Sequence, residues 1–285
     1  MIYRSAKDWI DAPNKRVMLF AMSGLGKTYI SDMLRAGGNW FHYSVDYRIG
    51  TRYMGEHITD NFKKEAMRNP FLAELLRSDA IYIASNLRFS DLSPLATYLG
   101  KPGDPDKGGI EIDEYIRRQR LHRNAEINAI KDSAHFIDRA RQLYGYDHFV
   151  CDTSGSLVEV VDADDPNDPV MSAVSKHMLP VWIEGDASHR DELIKRFNAA
   201  PKPMYYTEEF LLKCWNDYLA ETGVSADKVD PDAFIRWGYE RLIDDRLPRY
   251  AKIAADWGVT VHADDAGKVK TEADFIALIA SALEG

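Results

Sequence analysis

Eight consecutive residues carry the chemistry that is easiest to read from this chain: Ala21-Met22-Ser23-Gly24-Leu25-Gly26-Lys27-Thr28. The string fits the Walker A pattern, with Ala21 where the pattern opens on glycine. Glycines let successive backbone N–H groups close around phosphate oxygens, and a helix starting at the end of the string adds the positive end of its dipole. In that chemistry Lys27 reaches the β- and γ-phosphates and the Thr28 hydroxyl ligates Mg²⁺. Ser23, Gly24, Leu25, Gly26, Lys27 and Thr28 are therefore candidate ATP-binding residues. The competing reading is a strand-to-helix turn that binds nothing. The flanks argue against it, because the apolar run Val17-Met18-Leu19-Phe20-Ala21 precedes the string and a helical pattern, Tyr29 to Leu34, follows.

Two acids extend the constellation. Phe149-Val150-Cys151-Asp152 is an apolar run closed by a carboxylate, the form that holds a Mg²⁺ shell in phosphoryl transfer. Thr153, Ser154, Gly155 and Ser156 add hydroxyls and a backbone donor beside it. An Asx turn is the alternative role for Asp152. Asp46 closes the run ending Tyr43-Ser44-Val45 and is a candidate to orient or deprotonate an acceptor hydroxyl, although it is also a good helix N-cap. Arg48 and Arg52 follow it and are candidate acceptor-binding cations. Lys27, Asp46 and Asp152 are the expected catalytic residues, with Thr28 and Asp152 on the metal.

Elements able to position these groups are legible as short apolar runs alternating with helical patterns. Strands are expected over Val17–Ala21, Trp40–Val45, His148–Cys151, Pro180–Ile183 and Val259–His262. That alternation predicts an α/β P-loop NTPase fold, a three-layer α/β/α sandwich on a parallel five-stranded sheet, with ligands at the carboxyl ends of the strands. Between the second and third runs no core strand is expected. The stretch reads as helices over Asp60–Met67, Phe71–Arg77 and Glu111–Leu143, with a mobile loop at Gly100–Gly109. The expected organisation is a core of residues 1–55 and 146–285 carrying a helical insertion, 56–145, that forms or covers the acceptor site.

The segment Arg246-Leu247-Pro248-Arg249-Tyr250, followed by the run Val259–His262 and a last helix, resembles the carboxyl-terminal part of shikimate kinases. The stretch from Asp46, with Ile49, Arg52 and Gly55, resembles the same family. The resemblance implies a hydroxyl-binding role for Asp46 and substrate-binding roles for Arg52 and Arg246. Ser44 stands where the family has the first acid of an Asp-x-Asp pair, and Asp152-Thr153-Ser154-Gly155 replaces a Gly-rich turn. With the larger insertion, these departures point away from shikimate as the acceptor. In such kinases a lid follows the fourth strand. Gly185–Pro203 has that place, and Arg196 is its candidate phosphate contact.

A net charge of −9 on 285 residues disfavours nucleic acid as the main partner. Arg117, Arg118, Arg120 and Arg123 read as a solvated helix face laced with Glu114 and Glu126, and otherwise as an anion-binding surface. No window reaches the ~18 apolar residues of a membrane span. Two cysteines, Cys151 and Cys214, make neither a metal quartet nor a disulfide framework. The expected protein is a cytoplasmic ATP- and Mg²⁺-dependent kinase acting on a small hydroxyl- or phosphate-bearing acceptor, with no membrane partner. A kinase acting on a nucleotide or nucleic-acid base, and a nucleotide-switch ATPase with a protein partner, are the alternatives.

Overall fold

A computed structural model describes all residues, Met1–Gly285. The five apolar runs form five strands: β1 Arg16–Phe20, β2 Trp40–Ser44, β3 His148–Asp152, β4 Leu179–Glu184 and β5 Val259–His262. All pairs are parallel and the order is β2-β3-β1-β4-β5. Strands of a parallel sheet covered by helices are buried on both faces, so their sequences run apolar rather than alternating. β1, β3 and β4 follow that rule. The edge strand β5 alternates instead, with Val259 and Val261 buried and Thr260 and His262 exposed. Helices lie on both sides of the sheet, which is the three-layer α/β/α arrangement expected from the sequence.

Sheet register gathers the carboxyl ends. Leu19 of β1 and Ser44 of β2 both lie opposite Asp152 of β3. The loop from Ala21 leaves the central strand beside that row and enters the helix Lys27–Ala36. The helix turns Ile30, Ser31 and Leu34 inward and leaves Tyr29 half-exposed.

The chain divides into two compact units. One comprises residues 1–45, 126–201 and 236–285 and holds the whole sheet; the other comprises 46–125 and 202–235. Within the second, helices form over Gly55–Ala66, Pro70–Arg77 and Ser93–Leu99. Asn69 caps the Pro70–Arg77 helix by accepting from the Phe71 and Leu72 N–H groups, with Pro70 at its first position. The helix Ile112–Tyr144 runs through the boundary between the units. No helix is long and apolar enough to cross a membrane.

Two local expectations change. β2 ends at Ser44, and Asp46 lies in the first turn of a helix, Val45–Arg48, that continues as a π-helical turn over Ile49–Tyr53. The Gly100–Gly109 loop is not loose. Gly103 N–H donates to Ile110 O at 2.9 Å and Asp104 N–H to Val229 O at 2.8 Å. A Cβ on Gly103 would stand 2.5 Å from Val229 O, and its φ is +141°, so glycine permits both the conformation and the close approach.

Candidate functional site

The loop between β1 and the Lys27–Ala36 helix is shaped by Gly24 and Gly26, both in left-handed backbone at φ +98° and +96°. Gly26 is the helix N-cap, so the N–H groups of the first helical turn have no intrahelical acceptor. Lys27 is the first helical residue. Its buried ammonium folds back on the loop, donating to Ala21 O at 2.9 Å and Met22 O at 3.3 Å. Thr28 Oγ1 donates to Asp152 Oδ2 at 2.7 Å, joining the helix start to the end of β3. Asp152 is 6% exposed, and His42 of β2 places Nε2 3.7 Å from the same oxygen. His42 Nδ1 lies 3.4 Å from Asp32 Oδ1.

The loop Ser23–Gly26, Lys27, Thr28 and Asp152, expected together from the sequence, meet at this end of the sheet. Hydroxyl and carboxylate are hard oxygen donors of the kind Mg²⁺ takes, and soft donors are absent from the pair. No group of three or more His, Cys, Asp or Glu gathers anywhere in the chain as a metal cage. A cation on Thr28 and Asp152 would thus complete its shell with phosphate oxygens and water, as Mg²⁺ commonly does.

Beside the loop lies a cleft of about 380 Å³. Gly24, Gly26 and Tyr29 form one wall, His189 and Arg196 another, and Lys270 a third. The second wall is the helix Ala187–Ala199, the segment expected to act as a lid. Its start is a capping box: Asp186 accepts from His189 N–H at 3.0 Å, and the His189 side chain accepts from the Asp186 N–H. The His189 backbone N–H, then the Ser188 hydroxyl and the His189 ring, hold the Asp186 carboxyl below its ordinary range. Arg196 reaches the cleft, is 63% exposed, and pairs with Glu192 one turn back at 2.7 Å. Lys270 donates to the Tyr29 hydroxyl at 3.2 Å, its ammonium 5.1 Å from the ring centre.

Arg246 is placed differently from the expectation of a substrate-binding arginine. It lies within the long helix Pro231–Trp257 and is 1% exposed. Its Nε donates to Glu159 Oε1 at 2.6 Å and Nη1 to Gly155 O at 2.8 Å. The carboxylate it binds is thus one of the chain's own. Burial works against the charge, but Glu159, with Tyr250 and Glu126, more than offsets it, and the guanidinium stands above its ordinary pKa.

Asp46, Arg48 and Arg52 belong to the second unit. Arg48 lies 5.7 Å from the Tyr53 ring centre, and Arg52 is exposed at the end of the π-helical turn. The arginine run is largely occupied by carboxylates. Arg117 and Arg118 both bind Glu114 at 2.7–2.8 Å, and Arg120 binds Glu208 at 2.6 and 2.7 Å.

Glu126 corrects the solvated-face reading. It is fully buried and accepts from Ser154 Oγ and, at 2.8 and 3.0 Å, from Ser156 Oγ. A signal for it exists in the sequence. Tyr115, Gln119, His122, Glu126, Ala129 and Ser133 recur at three- and four-residue steps, and all are buried. Polar members on such a stripe mark an internal network.

No family model and no curated protein matches this chain. Among solved structures, it is similar to a crystal structure of shikimate kinase from Bacteroides thetaiotaomicron, at 14% identity over 95% of this chain and 94% of that chain, with a TM-score of 0.37. Likeness at that level carries nothing about the site, which stands on its own geometry. The sheet order, strand direction and layering give the chain the three-layer α/β/α P-loop fold expected from its sequence.

Proposed function

We propose that the chain is an ATP- and Mg²⁺-dependent phosphotransferase acting on a small acceptor. The observation that supports this reading most is the pairing of Thr28 Oγ1 with Asp152 Oδ2 at 2.7 Å, one residue from the buried ammonium of Lys27. Three groups of complementary chemistry meet where a glycine-turned loop feeds a helix. On this reading the N–H groups of Ser23–Thr28 hold the triphosphate oxygens, and Lys27 exchanges its two loop carbonyls for phosphate. Arg196 flanks the neighbouring cleft, which has room for a nucleoside.

Mg²⁺, when bound, supplies charge neutralisation for the phosphates. Thr28 and Asp152 are the residues that would hold it. Phosphoryl transfer asks for little covalent work by the protein, so positioning and charge account for most of the rate. Acceptor roles for Asp46, Arg48 and Arg52 rest on chain position, since Asp46 lies two residues past the end of β2. Asp46 would orient or deprotonate the acceptor hydroxyl, and the arginines would hold its anionic part.

ADP formation from ATP and Mg²⁺, with and without pools of small hydroxylated or phosphorylated acceptors, tests the reading. Lys27→Ala is expected to lower turnover by ~10²-fold or more in folded protein. Turnover equal to wild type in that variant removes the phosphotransferase reading.

A further inference from the structure

The loop after β3 turns at Gly155, and two hydrogen bonds from one stretch of the Pro231–Trp257 helix converge on its carbonyl oxygen. Arg246 Nη1 donates at 2.8 Å and Tyr250 Oη at 2.6 Å. Both donors are themselves fixed. Arg246 is anchored by Glu159, and Arg249 stands 3.6 Å from the other Glu159 oxygen while donating to Val158 O. The Tyr250 ring lies against Phe20 at the end of β1 and Trp182 of β4, at 6.0 and 6.4 Å between centres. Its phenol is fully buried, and burial raises its pKa, so it remains a donor.

On its other side Gly155 abuts the loop assigned above to the triphosphate. A Cβ there would stand 2.3 Å from Ser23 Oγ and 2.9 Å from Ser23 N. Only glycine fits, and a displacement of residue 155 is passed directly to the Ser23 backbone. A buried ion pair such as Arg246–Glu159 adds little net stability once desolvation is counted. What it supplies here is a fixed point.

We infer that Arg246 and Tyr250 form a clamp on the Gly155 carbonyl that sets the position of the Ser23–Thr28 loop. They are positioning residues for the triphosphate cradle, reached from beneath, and Arg246 contacts no substrate. The inference rests on the reading of that loop as the triphosphate site.

The test is calorimetric titration of full-length protein with the β,γ-imido analogue of ATP and Mg²⁺, alongside thermal melts. Lys27→Ala sets the scale for a damaged cradle. Tyr250→Phe keeps the ring packing but removes one bond to Gly155 O, and is expected to weaken analogue binding roughly 3–10-fold with its melt near wild type. Gly155→Ala is expected to weaken it about tenfold or more. In a Ser23→Gly background, which removes the nearest clash, the cost of Gly155→Ala should shrink by about threefold or more, as coupled neighbours require.

Wild-type affinity in both Tyr250→Phe and Gly155→Ala, with Lys27→Ala impaired, overturns the clamp and leaves the site reading intact. An equal Gly155→Ala cost in both backgrounds also overturns it. If Gly155→Ala does not fold, Tyr250→Phe decides by the same criterion. Absence of analogue binding in wild type fails the site reading itself, and the clamp with it.

Discussion

Asp152 sits where three groups meet: it accepts from the Thr28 hydroxyl at 2.7 Å and lies 3.7 Å from the His42 ring nitrogen, with 6% of its surface exposed. On the proposed reading this carboxylate would share a cation with Thr28. Asp152→Asn keeps the shape and removes the charge. The expected outcome is an intact fold and a Mg²⁺ concentration for half-maximal activity raised by about tenfold, read from a Mg²⁺ titration; an unchanged curve leaves Asp152 as a turn former. Asp46 and Arg52 are expected to behave differently. Asp46→Asn should cut kcat, since it removes a base or hydroxyl orienter. Neither Asp46→Asn nor Arg52→Ala should weaken the β,γ-imido ATP analogue as Lys27→Ala does, and calorimetry of each reads this directly. Residue types and spacing were enough to bring Lys27, Thr28 and Asp152 together, because the loop, its helix and the neighbouring strand end are local consequences of sequence. They misplaced Arg246, and for Glu126 the polar stripe on its helix was the signal passed over. Each lies on a helix whose inward face is set by tertiary packing. Arg246 read as a substrate-binding cation and Glu126 as part of a solvated face, because their buried partners, Glu159 and the two serines, lie far away in the chain.

The strands were legible to within a residue or two: β1, β3 and β4, covered on both faces, need apolar runs, and the edge strand β5 shows the alternation of a half-exposed strand. A helix after β2 was legible from the pattern that follows Asp46; its start at Val45, inside the apolar run that ends β2, and its π-helical continuation were not. The Gly100–Gly109 loop read as mobile from its glycines and prolines. Its order comes from Val229, over a hundred residues away, which no local pattern announces. On the Ile112–Tyr144 helix, Glu114 carries two arginines one turn on. The Arg117 guanidinium, opposed by partial burial and aided by Arg118, holds its carboxyl at about 2, against an ordinary 4.5. A depressed carboxylate pKa contributes stability that is fully present above pH 4.5 and is lost as pH falls toward 2. Glu114→Gln should therefore lower the urea midpoint at pH 7, by the equivalent of about 1 kcal/mol or less because solvent screens the site. The gap from wild type should narrow between pH 5 and pH 3; a gap that widens on acidification contradicts the pairing.

For the molecule as a whole, the net charge of −9 and the carboxylate partners of Arg117, Arg118 and Arg120 leave no broad cationic surface on that helix face. Binding of a generic single-stranded RNA at 150 mM salt should be undetectable by filter retention; salt-sensitive retention would favour a nucleic-acid acceptor instead. What the long-range grouping adds to the sequence reading is the association of 202–235 with 46–125, a partnership absent from any local periodicity. The central claim concerns the other unit, where the sheet's carboxyl end carries a glycine-turned loop, an ammonium and a hydroxyl–carboxylate pair. Its most direct test is calorimetric titration of wild type, Lys27→Ala and Asp152→Asn with the β,γ-imido ATP analogue, each with and without Mg²⁺. The account predicts one analogue bound per wild-type chain, tightened by Mg²⁺. Lys27→Ala should lose about tenfold or more in affinity through removal of a charge-assisted hydrogen bond, and Asp152→Asn should lose the Mg²⁺ enhancement. Wild-type protein that binds no analogue, or Lys27→Ala that binds it as tightly as wild type, would contradict the account.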